Sequence, residues 1–115
     1  MLTEQQKNVV SYAIEKGDNI VISGMIASGK STLYSELMAA CATSNYHYTL
    51  IDEVVTEADV SFVNRWLERH ITSPIMFTTR SINTDIIKKF PSFTGVVIHT
   101  IHQGGDFSAE LTGVM

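Results

Sequence analysis

The sequence predicts an α/β fold, with a mostly parallel sheet of about four strands between helices and an antiparallel hairpin at the C-terminus. Short β-branched apolar runs alternate along the chain with segments of helical periodicity. A loop that contains glycine joins the first apolar run, 19–23, directly to a helical segment. Near the end, the Gly-Gly turn at 103–106 separates two strand-like segments, which is typical of a hairpin.

The bounds of the elements follow from local signals. Thr3 and Gln6 form the capping box expected at a helix start, and Gly17 is a typical residue after a helix end. Pro74 ends the third helix. We expect helices at 3–16, 31–42, 57–70 and 84–90, and strands at 19–23, 46–53, 75–79, 95–102 and 107–114.

Composition limits the class of protein. The chain has 115 residues, 44% hydrophobic and 17% charged, which suits one folded domain over 1–115. The net charge is −4 and the 8 basic residues are scattered, which argues against a large nucleic-acid-binding surface. Cys41 is the single cysteine, so we expect no internal disulfide and a reducing compartment. Because no signal sequence and no apolar run of about 18 residues occur, we expect a cytoplasmic protein without direct membrane insertion.

Residues 24–31 fit the Walker A pattern G-x-x-x-x-G-K-[ST], between a strand and a helix as that motif requires. Gly24 and Gly29 allow backbone angles at which successive N–H groups turn toward a phosphate. Lys30 is expected to reach the β- and γ-phosphates and Ser31 to bind Mg²⁺, with the helix dipole adding positive charge. The alternative is a strand-to-helix turn that binds nothing. The residues expected to bind ATP are Gly24, Met25, Ile26, Ala27, Ser28, Gly29, Lys30, Ser31 and Thr32.

An apolar strand ends in the adjacent acids Asp52 and Glu53, a pattern similar to Walker B. The alternative is that these acids cap the following helix. Because ligands of parallel sheets bind beyond the carboxyl ends of the strands, the upstream phosphate loop favours the nucleotide-site interpretation. We expect Asp52 and Ser31 in the Mg²⁺ shell, and we expect Glu53 and Lys30 to be catalytic, with Glu53 activating the attacking water. From the residues alone, the roles of the two acids stay open.

The next apolar strand ends in Thr78, Thr79, Arg80 and Ser81. Polar side chains at a strand tip can sense a γ-phosphate. The alternative is a turn that caps the next helix, and both interpretations fit the threonines equally well.

Together these segments resemble the C-terminal motor domain of the secretion and conjugation ATPases, which drive type II and type IV secretion and the assembly and retraction of type IV pili. The resemblance covers nearly all of the chain, and Walker A is its one individually specific motif. The segments that carry it are 2–6 leading to 19–24, Ile51-Asp52-Glu53-Val54 with the helix to His70, Met76-Phe77-Thr78-Thr79, and 96–101 with its Gly-Gly turn.

The resemblance implies a P-loop NTPase domain with a RecA-like sheet that binds and hydrolyses ATP with Mg²⁺. It also implies a homo-oligomer or a larger secretion or pilus machine as partner. A neighbouring subunit would supply an arginine finger, because the sequence positions no residue to provide one in cis.

Several features depart from the family pattern. The family's N-terminal domain has no counterpart in these residues, and one helix and a turn replace its acidic "Asp box" segment. Arg80 stands where the family has histidine, and Met25-Ile26-Ala27 replaces smaller loop residues. ATP binding is therefore better supported than hydrolysis. Two alternatives stay open: a non-catalytic nucleotide-binding regulatory subunit of such a machine, and a small P-loop kinase.

Overall fold

Helices and strands alternate as the sequence predicts in the computed structural model, which describes residues 1–25, 27–69, 73–80 and 85–114. Ile26, His70, Ser81 and the expected helix start at 84 lie outside the described residues. The elements are α1 (Glu4–Glu15), β1 (Asn19–Ser23), α2 (Lys30–Thr43), β2 (Thr49–Val54), α3 (Glu57–Arg69), β3 (Ile75–Thr79), α4 (Ile86–Lys89), β4 (Gly95–Gln103) and β5 (Asp106–Val114).

Helix α1 has the caps that its sequence predicts. The Thr3 N–H donates to Gln6 Oε1 at 2.9 Å, and the Gln6 N–H donates to Thr3 Oγ1 at 3.1 Å, which completes the capping box. Gly17 follows the helix with a φ of +77°, which glycine adopts without strain. Short-range hydrogen bonds and one glycine therefore determine both ends of this helix.

The strands form one sheet of five in the order β2-β3-β1-β4-β5. The strands β2, β3, β1 and β4 are parallel to their neighbours, and β5 pairs antiparallel with β4. Gly104 and Gly105, with φ values of +60° and +86°, form the hairpin turn, and two positive φ values are typical of a type I′ turn. The prediction of an α/β fold with a mostly parallel sheet and a closing hairpin is confirmed.

Helices cover both faces of the sheet, because successive strand residues point to opposite faces. Ile20 and Ile22 of β1 pack with α1 and α2 on one face, and Val21 packs with α3 and α4 on the other. All three side chains are fully buried. The strand β1 is therefore the buried centre of the fold, and the loop that follows it lies at the middle of the carboxyl edge of the sheet.

The strand β2 begins later than the sequence predicts, at Thr49 instead of residue 46. Helix α2 continues to Thr43, and Ser44 Oγ lies 2.8 Å from the Cys41 carbonyl oxygen and 3.1 Å from that of Tyr46. Such hydrogen bonds between side chain and backbone compete with a strand ladder. They hold Tyr46 in the turn after α2.

Helix α3 is amphipathic, as expected. Val63 and Leu67 are buried against the sheet, whereas Arg65 and Arg69 are exposed on the outer face. In the described part of the chain, no helix has the length and apolar character needed to cross a membrane.

Candidate functional site

The loop between β1 and α2 has a strained backbone. Gly29 is the N-cap of α2 with a φ of +90°, and the helix begins at Lys30, one residue before the predicted start. Ala27 also has a positive φ, of 63°, which is uncommon for a residue with a Cβ. Such a conformation costs of order 1 kcal/mol or more and persists only where the surroundings impose it. The loop is therefore held in one specific shape.

Lys30 points back into this loop. The residue is 7% exposed, and its Nζ donates a hydrogen bond of 3.1 Å to the carbonyl oxygen of Met25. The same oxygen lies 2.7 Å from the donor Ser28 Oγ and 3.3 Å from the donor Ser28 N–H. A carbonyl oxygen has two lone pairs, so three donors exceed its capacity. Lys30 can therefore leave this oxygen without creating an unsatisfied acceptor.

Position 24 requires glycine because neighbouring side chains lie too close to leave room for a Cβ. A Cβ at this position would lie 2.3 Å from Thr100 Oγ1 and 2.6 Å from Ser28 Oγ. These two hydroxyl oxygens are 2.7 Å apart, and Thr100 Oγ1 donates to the Ser23 carbonyl oxygen at 3.2 Å. The hydroxyls tie the loop to β4, and a side chain at Gly24 would force them apart.

Asp52 and Glu53 lie at a β-bulge opposite Thr78. The register of β2 against β3 shifts there, so that two residues of β2 oppose one residue of β3. Thr78 Oγ1 accepts a hydrogen bond of 2.7 Å from the Glu53 N–H and donates one of 2.5 Å to Asp52 Oδ1. Glu53 has a φ of 64°, so the bulge changes the direction of the chain at this residue. Both acids are exposed at the end of the strand, and one buried hydroxyl orients them.

A cleft of about 320 Å³ separates the loop from Glu53. Arg80 follows the tip of β3, and its Nη2 lies 3.3 Å from Glu53 Oε2. The two side chains are 45% and 47% exposed, so water reaches this ion pair. The cleft is lined by Ala27, Gly29, Lys30, Ser31, Glu53 and Arg80.

The charges around the cleft act on Lys30. Burial lowers its pKa; Glu53 opposes this shift, Arg80 adds to it, and Asp52 opposes it. Burial penalises the charged ammonium because the carbonyl contact replaces hydration only in part. An anion in the cleft would compensate the charge of Lys30 directly.

The predicted phosphate-binding residues come together in part. Ala27, Gly29, Lys30 and Ser31 line the cleft, and Ser28 is buried. The Met25 side chain is 63% exposed, Thr32 faces solvent on the first turn of α2, and Ile26 lies outside the described residues.

Ser31 and Asp52 provide oxygen donors of the kind that Mg²⁺ prefers. Within the ranges that the structure describes, no group of three or more His, Cys, Asp or Glu residues could hold a metal ion. In nucleotide sites Mg²⁺ takes one or two carboxylates and completes its shell with phosphate oxygens and water. The chemical type of these donors therefore suits a Mg²⁺ ion that arrives with a phosphate ligand. Ser31 lines the cleft, whereas Asp52 lies outside its lining.

A larger cavity of about 410 Å³ lies between α1 and β5. Its lining includes Gln6 and Leu111 but no charged side chain. Gly113, also in the lining, pairs with Val96 near the start of β4, so this cavity lies toward the opposite edge of the sheet from the loop between β1 and α2. The smaller cleft therefore carries the chemically active groups.

Arg80 and Thr100 have site contacts that the sequence did not predict. The resemblance assigns the required arginine to a neighbouring subunit, but Arg80 of the same chain reaches Glu53. The position of Arg80 directly after a parallel strand could have predicted this contact, because the carboxyl ends of parallel strands share one edge of the sheet. Thr100 has no comparable signal, since only the pairing of β4 with β1 brings it to Ser28.

The site as a whole is a cleft with a lysine and helix-start amides on one wall and a carboxylate paired with arginine on the other. Helix starts of this kind bind anions. The chain matches no protein-family model, no curated protein and no solved structure.

Proposed function

We propose that the chain binds ATP with Mg²⁺ in this cleft and hydrolyses the γ-phosphate. The observation that carries the proposal is the composition of the two walls: Lys30 and Ser31 on the loop side, and Glu53 on the other. A polyphosphate suits this polarity, because its oxygens bind N–H groups and cations while a carboxylate acts at its far end.

Binding begins with a change of partner at Lys30. The Met25 carbonyl keeps its two donors from Ser28 when Lys30 leaves it. A phosphate oxygen is a charged acceptor and therefore a stronger partner than a carbonyl. It also offsets the penalty that burial places on the ammonium group. Polyphosphate binding thus stabilises a side chain that is otherwise costly to bury.

Ser31 and Asp52 are the residues that would hold Mg²⁺. Bound there, the ion would neutralise charge on the phosphate oxygens. Thr78 orients the Asp52 carboxylate through Oδ1 and leaves the second carboxylate oxygen for this role.

Glu53 accepts the proton of the attacking water in this proposal. The water oxygen forms a bond to the γ-phosphorus, the bond from that phosphorus to the β–γ bridging oxygen breaks, and ADP and phosphate leave. The proton passes to Glu53, whose backbone N–H is held by Thr78. Lys30 faces the phosphates from the opposite wall and stabilises the negative charge that develops on the bridging oxygen.

The proposal extends to a RecA-like P-loop NTPase domain of a secretion, conjugation or pilus machine, acting in the cytoplasm as part of an oligomer. The strand order supports it, because β3 lies between β1 and β2. The tip of β3, with Thr78 and Thr79, then stands between the loop and the acids, where a polar side chain can respond to a γ-phosphate.

A nucleotide-binding regulatory subunit without turnover is the second candidate. The Glu53–Arg80 ion pair favours this second candidate, because Arg80 already contacts the carboxylate that would otherwise activate water. The same cleft would then bind ATP and release it intact.

Phosphate release from Mg·ATP tests the proposal, with Lys30→Ala and Glu53→Gln measured beside the wild type. We expect both substitutions to abolish turnover, with ATP binding lost in Lys30→Ala and kept in Glu53→Gln. Lys88→Ala and Glu68→Gln, at exposed charges on α4 and α3, are matched controls and should behave as wild type.

The remaining outcomes separate the alternatives. ATP binding without turnover in the wild type would assign the regulatory function. Phosphate transfer to an added nucleoside would indicate the small kinase. A wild-type chain that neither binds nor hydrolyses ATP would contradict the proposal.

A further inference from the structure

The β4–β5 hairpin extends past the end of β1 on the side of the loop away from the acids. His99 of β4 pairs with Ser23, the last residue of β1, and β4 then continues to Gln103. At the usual rise per strand residue, the hairpin projects roughly 13 Å beyond the sheet edge. Since β4 and β1 are parallel, this projection lies at the same carboxyl edge as the phosphate loop.

The projecting hairpin carries two stacked rings. His102 and Phe107 face each other across the two strands, with ring centroids 4.1 Å apart and planes only 6° from parallel. Phe107 is 48% exposed. We call His102 and Phe107 the aromatic platform. A half-exposed phenylalanine beside the turn contributes less to the core than a buried one and presents apolar surface to water.

The platform touches the phosphate loop at Gly29. A Cβ added to Gly29 would lie 3.2 Å from Phe107 Cδ1 and 2.3 Å from Met1 Cε. Gly29 also lines the cleft with Lys30. The backbone of one residue therefore borders both the proposed phosphate site and the platform.

We propose that the aromatic platform binds the nucleobase of the nucleotide whose phosphates occupy the cleft, which rests on the function proposed above. The cleft and the platform meet at Gly29 and differ in chemistry. Lys30 and Arg80 line the cleft and attract phosphate oxygens, whereas a planar heterocyclic base stacks on aromatic rings such as those of the platform. The triphosphate thus runs from the acids toward the hairpin, and the nucleoside leaves the loop at Gly29.

The second observation in favour of a base is the parallel orientation of the two rings. His102 stacks on one face of the Phe107 ring. An aromatic surface that is already formed before binding costs little conformational entropy when a planar ligand stacks on it. His102 is therefore a positioning residue, and Phe107 is the residue that would contact the base.

Calorimetric titration with two probes, Mg·ATP and Mg·tripolyphosphate, tests the assignment. Tripolyphosphate has the phosphates of ATP but no base. We expect Phe107→Ala to weaken ATP binding about tenfold, as is typical for the loss of one base–aromatic contact. Tripolyphosphate affinity should change less than about twofold, because the phosphate-binding groups are unaltered. Phe107→Tyr should restore ATP affinity, and Phe62→Ala removes a ring of the same 48% exposure from α3 as the matched control.

Other outcomes overturn the assignment. Equal ATP affinity in Phe107→Ala and wild type would remove the platform from the base site and leave the proposed function intact. Equal weakening of both probes would mean that Phe107 supports the loop and does not recognise a base. Loss of self-association in light scattering with ATP affinity unchanged would assign the patch to a second copy of the chain. If the wild type binds neither probe, the proposed function fails first.

Discussion

Arg80 reaches from the end of β3 to Glu53 at the end of β2, with Nη2 and Oε2 3.3 Å apart. The β-bulge makes this contact possible, because it turns Glu53 out of the regular strand register. The pair is half exposed and therefore contributes little to stability. Its importance lies in the cleft, where it sets the charge opposite Lys30.

Arg80→Gln separates the effect of Arg80 on stability from its effect on ligand binding in the cleft. We expect the free energy of unfolding to change by less than about 0.5 kcal/mol, since exposed ion pairs are weak. ATP affinity should fall roughly tenfold, because a cation beside the phosphates is lost. Urea unfolding and ATP titration measure the two effects, with Arg69→Gln on the outer face of α3 as control. A large loss of stability with unchanged affinity would contradict the assignment of Arg80 to the site.

Thr78→Val removes the hydroxyl that holds both acids while keeping the shape of the side chain. Thr78 is fully buried, and the Glu53 N–H loses its acceptor. A partly buried donor left unsatisfied costs about 1–3 kcal/mol, so the free energy of unfolding measured in urea should fall by up to that amount. Phosphate release should fall as well, because Asp52 and Glu53 lose their orientation. Thr78→Ser keeps the hydroxyl and should recover both properties; equal stability of Thr78→Val and wild type would refute this role.

Lys30→Met should stabilise the protein while abolishing nucleotide binding. Burial lowers the pKa of Lys30, so at neutral pH the folded chain carries a charge that it disfavours. Methionine has similar length and no charge, and the Met25 carbonyl keeps its donors from Ser28. We expect a gain of about 1 kcal/mol in thermal or urea unfolding, within the range seen when a functional residue is replaced. Lys88→Met, at an exposed lysine, should give no such gain. A Lys30→Met protein less stable than the wild type would contradict the view that the buried charge of Lys30 destabilises the fold.

Cys41 should be unreactive in the folded protein. It is 2% exposed, and burial raises its pKa to about 11 from about 9. Since the thiolate is the reactive form, labelling by an aromatic disulfide at pH 8 should be roughly 100-fold slower in the folded than in the unfolded chain. Equal rates with and without urea would contradict the buried position.

The same shift makes stability depend on pH. The folded chain favours the neutral thiol, so the contribution is fully present below pH 9 and is lost as pH rises from about 9 to about 11. Unfolding in urea at pH 8 and pH 10 should therefore show lower stability at the higher pH. Cys41→Ala should show a smaller fall, with the buried Tyr34 and the half-buried Tyr48, whose pKa values burial also raises, accounting for the rest.

The sequence by itself determined the helices and strands. The strand β1, the strand β3 and the α1 capping box occur where they were expected, because a run of apolar residues, a cap or a glycine acts over a few neighbouring residues. The Gly104–Gly105 turn was equally predictable, since two adjacent positive φ values require residues that tolerate them. The strand whose start differs most from the expected one, β2, is the one where a serine diverts the chain into a turn.

Only the tertiary structure decided how these elements meet. The insertion of β3 between β1 and β2, the bulge that presents Glu53 to Arg80, and the contact of Phe107 with Gly29 join residues far apart in the chain. Such contacts depend on which faces and edges pack together, and no local pattern encodes that choice. The sequence therefore predicts a phosphate loop and two acids, while the cleft between them, with its arginine, and the neighbouring aromatic platform arise from the packing of the sheet.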